Sequence, residues 1–355
     1  MGIVVALLIF GILVLAHEWG HFIIAKKNGI TVEEFAIGMG PLIYGKEKSG
    51  TLFSIRLLPI GGYCKMLGED EKLEEENVEG SFNSKSILQR MAVISAGSIM
   101  NFILSFFLVL ILVFGNGFTS TAISTLLPDS PAEEVGLMPG DRIISIDGVR
   151  LRTFLDIRFA LSNVDGPIDI VIQRNNERIN KHLTPMTTPE GASLIGFVPV
   201  SYGGFFNPIE GGATVSIPEF FSNAFWTMIH YVRLVLHMLG QLFTFNVAMG
   251  ELAGPVGIVS MIDSVYAAAS DLSLWQTLVP LLTLGALLSV NLGVANLLPI
   301  PALDGGRLVF LIIEAIRGKP VSPEKEGIVH FVGLVLLLGL MFVVTFNDIV
   351  RLFTN

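Results

Sequence analysis

Four apolar stretches, each near the length that crosses a lipid bilayer, constrain the fold of this 355-residue chain more than any other feature. A helix needs about 20 mostly apolar residues to span the hydrocarbon core. The stretches are the segment that starts with Gly2–Ala16, Met91–Phe114, Leu272–Leu303 and Gly327–Phe346. With 52% hydrophobic and 15% charged residues, the composition excludes an ordinary soluble enzyme. The sequence therefore predicts an α-helical polytopic membrane protein with four transmembrane helices.

The first apolar stretch ends in the pattern H-E-x-x-H, at His17-Glu18-Trp19-Gly20-His21. Residues four apart project from nearly the same helix face, so His17 and His21 can bind one Zn²⁺ with Glu18 beside it as a general base. An ionisable group inside a membrane helix costs about 2.5–3.5 kcal/mol on insertion scales. The structural alternative is a polar helix end near the lipid headgroups. Because a metal satisfies such a cluster, the pattern predicts a hydrolytic zinc site within or at the edge of the bilayer.

A catalytic zinc needs three protein ligands and one open position. No H-x-x-G-x-x-H pattern follows the first two histidines, which disfavours metzincins. Asp304 is the better candidate, since it is the only carboxylate in the segment Asn296–Gly306 that ends the third stretch. Pro299 and Pro301 break the helix there, and a membrane tolerates the exposed backbone only in a buried or polar setting. The alternative is a proline-terminated helix followed by Gly-Gly.

The other candidate metal ligands are predicted to have different roles. Each remaining histidine is predicted to be structural or interfacial: His182, His230, His237 and His330. The single cysteine, Cys64, excludes an intramolecular disulfide and is predicted to be an inert thiol.

Positively charged residues set the expected orientation, because cytoplasmic loops carry an excess of Lys and Arg. They follow the first stretch, precede the second and lie between the third and fourth: Lys26, Lys27, Lys85, Arg90, Arg317, Lys319 and Lys325. Residues 26–90 and about 305–326 are therefore predicted to be cytoplasmic. Residues about 115–271 and both termini are predicted to lie outside. The net charge of −9 argues against nucleic acid as a partner.

The segment of residues 218–250 is apolar enough to suggest a fifth span, but His230, Arg233 and His237 fall on one face of a helix there. We expect an interfacial amphipathic helix. If this segment crossed the membrane, the third apolar stretch would run through the membrane in the opposite direction. It would then place Asp304 on the opposite membrane side from the two histidines.

Residues about 117–203 are predicted to form a small α/β domain. Ser130 is an N-cap candidate with Pro131 at the first helical position, and Pro167–Gln173 alternates as a strand does. The run Ser130-Pro131-Ala132, Gly136-Leu137, Gly140-Asp141 and Ile146-Asp147-Gly148 resembles a PDZ domain of the bacterial protease-associated kind. Such domains add an extended peptide to a sheet edge. Peptide binding and simple exclusion of bulky ectodomains both stay open for this one.

The H-E-x-x-H pattern together with Asn296-x-x-Pro299-x-Pro301-x-Leu303-Asp304-Gly305 resembles the bacterial site-2 proteases, the RseP/RasP-type intramembrane zinc metalloproteases. The resemblance covers nearly the whole chain. It implies one Zn²⁺ per chain, with Asp304 as the third ligand, and it implies that Asn296, Pro299 and Pro301 help to hold the substrate backbone. One departure is Ser98, where relatives commonly show proline; it leaves the ligands unaffected.

A hairpin is predicted from Gly40–Gly45 and Thr51–Leu57, and the resemblance implies that it is membrane-associated. Two interpretations stay open: the hairpin offers an edge strand to an unwound substrate, or it is a cytoplasmic hairpin with no substrate role. The acidic run Glu69–Glu79 is predicted to be a solvated, mobile cytoplasmic segment.

The resulting organisation has four parts. Residues 1–114 hold two spans, the zinc motif and the hairpin; 115–205 form the PDZ domain; 206–271 are an extracytoplasmic linker with the amphipathic helix; 272–355 hold the last two spans and Asp304.

The expected activity is cleavage of single-span membrane proteins in the bilayer of the bacterial cytoplasmic (inner) membrane, with the active site toward the cytoplasmic side. This is the second cut of regulated intramembrane proteolysis, on anti-sigma factors or leftover signal peptides. A catalytically silent PDZ-bearing membrane scaffold and a zinc transporter are the alternatives. Intact Glu18 and Asp304 argue against the scaffold, and the nearly apolar second and fourth stretches argue against the transporter.

Overall fold

The computed structural model describes residues 2–69, 78–162, 164, 166–188, 191–209, 216–244 and 253–354. Most of the acidic run Glu69–Glu79 lies outside these residues. Within them the chain forms nine helices and ten strands. In chain order they are α1 (Gly2–Lys27), β1 (Val32–Lys48), β2 (Thr51–Met66), α2 (Ile87–Asn116), β3 (Gly117–Leu126), α3 (Pro131–Glu134), β4 (Arg142–Ile146), β5 (Val149–Arg150), α4 (Phe154–Leu161), β6 (Ile168–Arg174), β7 (Glu177–Leu183), β8 (Met186–Thr187), β9 (Ser193–Leu194), β10 (Phe197–Gly203), α5 (Ile217–Phe243), α6 (Pro255–Ala269), α7 (Leu274–Leu297), α8 (Asp304–Arg317) and α9 (Pro323–Thr354).

Four of the described helices, α1, α2, α7 and α9, are long and apolar enough to cross a membrane. They coincide with the four apolar stretches, so the predicted number of spans is confirmed for the described residues. The third helix is shorter than its stretch, because α7 ends at Leu297. Pro299 and Pro301 lack the backbone N–H that a helix interior requires. The chain therefore turns and resumes as α8 at Asp304.

Two helices were not predicted from the sequence. The 15-residue α6 is apolar but too short to span a bilayer. The 14-residue α8 is amphipathic and begins directly after the proline-containing turn. The predicted amphipathic helix at residues 218–250 corresponds to α5, which is not among the described helices that qualify as membrane spans, and residues 245–250 lie outside the described residues.

The Cα positions divide the chain into two compact units, Met1–Ser105 with Leu234–Asn355, and Phe106–Arg233. In the first unit, buried side chains from α1, β1, β2, α2 and α8 share one core. Its members include Ala25, Ile30, Val32, Val93, Ile94 and Leu311. This core fixes the C-terminal half of α1 against α2 and α8.

The predicted hairpin is part of a longer antiparallel pair of strands, β1 and β2. Phe35 of β1 pairs with both Phe53 and Cys64, so β2 flanks the first half of β1 on both sides. Ser49 and Gly50 form the turn, with φ values of 53° and 70°. The two strands therefore build a small curled sheet and not a flat hairpin.

Glu34 holds this curled sheet together. Its carboxylate accepts hydrogen bonds from Ser54 Oγ at 2.5 Å, Arg56 Nη2 at 2.6 Å and Tyr63 Oη at 2.9 Å. Burial acts to raise the pKa of Glu34, but these hydrogen bonds outweigh it and hold the pKa below its ordinary value. Since Ser54 and Tyr63 lie in opposite halves of β2, one carboxylate joins both halves.

The second unit contains the predicted α/β module. Its strands lie in the order β10-β3-β4-β6-β7, with β5 paired to β4, over a core of aliphatic side chains from the sheet and α4. Ser130 caps α3 with Pro131 at its start, as predicted. The sheet and its two short helices agree with the predicted PDZ fold.

Within this unit, α5 is tied to the module by His230, whose Nδ1–H donates to Asp156 Oδ1 at 2.8 Å. Burial acts to raise the pKa of Asp156, but the hydrogen bond from His230 and the backbone hydrogen bonds hold it below its ordinary value. His230 therefore has the structural role that the sequence predicts.

Candidate metal centre

The structure brings His17, His21 and Asp304 together. Both histidines lie on α1 and are buried, and Asp304 opens α8. Asp304 Oδ2 lies 3.1 Å from His17 Nε2 and 3.4 Å from His21 Nε2. The two Nε2 atoms are 3.2 Å apart. Among the described residues, this is the one group of three or more His, Cys, Asp or Glu side chains that can hold a metal ion.

The turn between α7 and α8 places the carboxylate. Ile300 N–H donates to the Leu298 carbonyl at 2.7 Å, and Leu303 N–H donates to the Ile300 carbonyl at 3.2 Å. Ala302 lies between them in the left-handed region, with φ at 75°. This tight reversal starts a new helix beside α1, so Asp304 reaches the histidine pair.

Hydrogen bonds leave the metal-facing nitrogen of His21 available. Its Nδ1–H donates to the Val93 carbonyl of α2 at 2.9 Å. Because a neutral imidazole carries only one proton, Nε2 keeps its lone pair and points toward Asp304.

His17 is oriented by Asn101 of α2, whose Nδ2 lies 3.2 Å from His17 Nδ1. Asn101 is fully buried, and its Oδ1 has no hydrogen-bond partner among the described residues. A metal on His17 Nε2 leaves the proton on Nδ1. After a 180° rotation of the Asn101 amide, Oδ1 accepts a hydrogen bond from Nδ1–H, which also gives the unpartnered oxygen a donor.

The donor set fits Zn²⁺. Two imidazole lone pairs and Asp304 Oδ2, which is buried and accepts no hydrogen bond among the described residues, converge on one point. Their lone pairs repel one another unless a cation lies between them. Tetrahedral zinc with bonds of about 2.0–2.2 Å separates its ligands by about 3.3 Å, which matches the observed separations.

A glycine makes room for the two imidazoles. A Cβ on Gly97 of α2 would come within 2.3 Å of His21 Nε2 and 2.7 Å of His17 Cε1. Gly97 and Asn101 are four residues apart, so they occupy one face of α2. Sequence reasoning did not assign either residue a role, although a lone asparagine inside an apolar span was the available signal.

The other predicted site residues lie around this centre. Glu18 is outside the three-donor group, and a Cβ on Gly62 of β2 would lie 3.6 Å from its Cγ. Asn296, on the last turn of α7, has Nδ2 3.5 Å from both ring nitrogens of His17. Pro299 and Pro301 belong to the turn, where Pro299 is exposed and Pro301 is half-buried.

The remaining candidates lie elsewhere. His182 pairs with Asp169 at 2.8 Å, and His330 accepts a hydrogen bond from the backbone of Ala302. Cys64 is buried, and burial raises the pKa of its thiol well above the ordinary value. That shift agrees with the predicted inert thiol.

Comparison with known proteins gives a consistent assignment. The family model described as Peptidase family M50 matches residues 5–340. The zinc metalloprotease RasP of Bacillus licheniformis is 35% identical over 99% of both chains. The regulator of sigma-W protease RasP of Bacillus subtilis is 33% identical, also over 99% of both. Among solved structures, the PDZ domain of an SdrC-like protein from Listeria monocytogenes matches 23% of this chain and 90% of its own, with 19% identity and a TM-score of 0.22.

Proposed function

Because the chain belongs to peptidase family M50 and is a zinc metalloprotease of the site-2 type, we propose that His17, His21 and Asp304 hold one catalytic Zn²⁺ per chain. Glu18 is the general base. The observation that carries this proposal is the convergence of two imidazole nitrogens and one carboxylate oxygen, with Glu18 directly after His17 on α1.

The chain's own residues have distinct tasks in peptide hydrolysis. Zn²⁺ bound in this centre supplies a Lewis acid for the scissile carbonyl and for water. Glu18 accepts a proton from the attacking water and returns it to the leaving amide nitrogen. Val93 and Asn101 hold the imidazole rings in the required tautomers. The buried surroundings of the histidines keep bulk water away from the reacting groups.

The substrate is a membrane segment that must first be unwound, because helical carbonyls are internally hydrogen-bonded. We propose that Asn296, Pro299 and Pro301 help to hold the unwound backbone. The position of Asn296 Nδ2, 3.5 Å from the His17 ring, supports this role. The curled sheet of β1 and β2 supplies further backbone partners, since Gly62 lies beside Glu18. We propose that the substrates are single-span membrane proteins such as anti-sigma factors or leftover signal peptides; the name of the Bacillus subtilis relative, regulator of sigma-W protease, is compatible with the first of these.

Removal of the metal tests the activity directly. Purified enzyme in proteoliposomes is expected to cleave a single-span substrate, and a strong zinc chelator is expected to abolish the cleavage. Stoichiometric Zn²⁺ should restore it, whereas Mg²⁺ should not, because nitrogen ligands favour zinc. Cleavage that persists after complete zinc removal would contradict the proposal.

The proposed topology places the PDZ module and both termini outside and the metal centre toward the cytoplasmic side of the bacterial inner membrane. We expect residues 206–271 not to cross. With Cys64 replaced by serine, exposed Asn207→Cys and Asp271→Cys should both label from outside, and Lys319→Cys should label only from the cytoplasm. Cytoplasmic labelling at position 271 would overturn this topology.

The proposed role of the PDZ module is to exclude substrates with large ectodomains, because every proposed catalytic group lies outside it. Deletion of residues 117–203 is expected to leave cleavage of a pre-trimmed substrate within several-fold of the wild type and to permit cleavage of the untrimmed form. Loss of activity toward the short substrate, in a variant that still folds and binds zinc, would contradict simple exclusion and show that the module acts in catalysis or in obligatory substrate capture.

A further inference from the structure

His330 of α9 makes a direct contact with the turn that precedes Asp304. The Ala302 N–H donates a hydrogen bond to His330 Nδ1 at 2.9 Å. Ala302 adopts φ at 75°, a region that residues other than glycine rarely occupy. A backbone in this conformation persists only when its surroundings hold it. The His330 ring supplies such a contact two residues before the carboxylate.

The same face of α9 contacts the turn a second time. Gly333 lies three residues beyond His330, and a Cβ there would come within 2.3 Å of Pro301 Cβ. The His330 ring also lies 5.5 Å, centroid to centroid, from the Phe310 ring of α8. Thus α9 touches both the turn and the helix that Asp304 begins.

These contacts stand out because α9 is otherwise little buried. Only 6% of the residues in its 18-residue apolar segment are buried within the protein. Side chains such as Leu336 and Phe342 are exposed. An ionisable side chain in a membrane helix is costly to insert into the bilayer. A helix with so few buried residues therefore gains nothing from a histidine unless that side chain makes a specific contact. The contact between His330 and the turn is therefore the specific feature of this histidine that needs an explanation.

The hydrogen bond fixes the state of the ring. Since Nδ1 accepts from Ala302, it carries no proton, and a neutral imidazole then carries its proton on Nε2. Glu326 Oε1 lies 3.8 Å from that nitrogen, one turn earlier on α9, which favours this tautomer. To keep this hydrogen bond, the side chain at position 330 must therefore place a hydrogen-bond acceptor where Nδ1 lies.

We infer that His330 is a positioning residue, which holds the Pro301–Leu303 turn so that Asp304 reaches His17 and His21. The inference rests on the proposed role of Asp304 as a zinc ligand. His330 itself stays outside the three-donor group. Loss of its acceptor would release the turn and let the carboxylate drift from the histidine pair.

The test compares two substitutions in the full-length protein. Asparagine places its Oδ1 close to the position of Nδ1, so His330→Asn should keep the hydrogen bond, whereas His330→Leu removes it. For His330→Leu we expect zinc release to a chelator to become about 10–100-fold faster. The kcat should fall by a similar factor with little change in KM. His330→Asn should stay within several-fold of the wild type in both measurements.

Amide hydrogen exchange of residues 302–304 measures how firmly the turn is held, independently of zinc binding. Faster exchange in His330→Leu but not in His330→Asn is the expected result. Unchanged exchange and zinc release in His330→Leu, or an asparagine variant as impaired as the leucine variant, would overturn the inference. If Asp304→Ala keeps its zinc, the ligand assignment fails instead, whatever the exchange rates at the turn.

Discussion

Replacement of Glu18 by glutamine is expected to lower the kcat for a single-span substrate by about 10²–10⁴-fold and to leave zinc bound. Glutamine keeps the size of the side chain but cannot accept the proton of the attacking water. Zinc should stay because Glu18 is not part of the three-donor group. The measurements are cleavage rates in proteoliposomes and metal content by mass spectrometry.

Glu33→Gln is the matched control, since it is the same chemical change at a glutamate of the same compact unit. Glu33 pairs with Lys65 at 2.6 Å, away from the metal-binding group. Its activity should equal that of the wild type. A Glu18→Gln enzyme that works within several-fold of the wild type, or one that loses its zinc, would remove Glu18 from the role of general base.

Substitution of Asp304 by alanine is expected to abolish cleavage and to weaken zinc binding. Removal of a residue that merely orients a metal ligand typically costs 10–100-fold in affinity. Loss of one of only three ligands should exceed about 10²-fold for the same reason. Competition with a fluorescent chelator of known affinity measures the change in the purified protein.

Asp271→Ala provides the control for this substitution, because Asp271 is an exposed aspartate at the N-terminal approach to α7. It should bind zinc as the wild type does. Equal zinc affinity in Asp304→Ala and Asp271→Ala would exclude Asp304 as a zinc ligand. The proximity of Asp304 to His17 and His21 would then have no role in metal binding.

Local patterns were sufficient to predict the spans and to select the three side chains that the structure brings together. The four membrane helices follow from run length alone. The two histidines follow from helical periodicity, and Asp304 follows from being the single carboxylate beside a proline-broken span. Each signal lies within one continuous segment of the chain, so it can be recognised without knowledge of the tertiary structure.

Contacts between distant segments could not be predicted in this way. Asn101 meets His17 across 84 positions, and His330 meets Ala302 across 28. Neither pair has a spacing rule, because helix packing alone brings the partners together. The same holds for β2, which flanks β1 on both sides, and for α8, whose start depends on how the chain reverses after Leu298.

Anomalous X-ray diffraction at the zinc edge, from crystals of the wild-type enzyme, tests the central assignment most directly. We expect one zinc peak per chain, about 2.0–2.2 Å from His17 Nε2, His21 Nε2 and a carboxylate oxygen of Asp304, with Glu18 outside bonding distance. A peak that lacks Asp304 as a ligand, that includes Glu18, or that lies away from the two histidines would contradict the account.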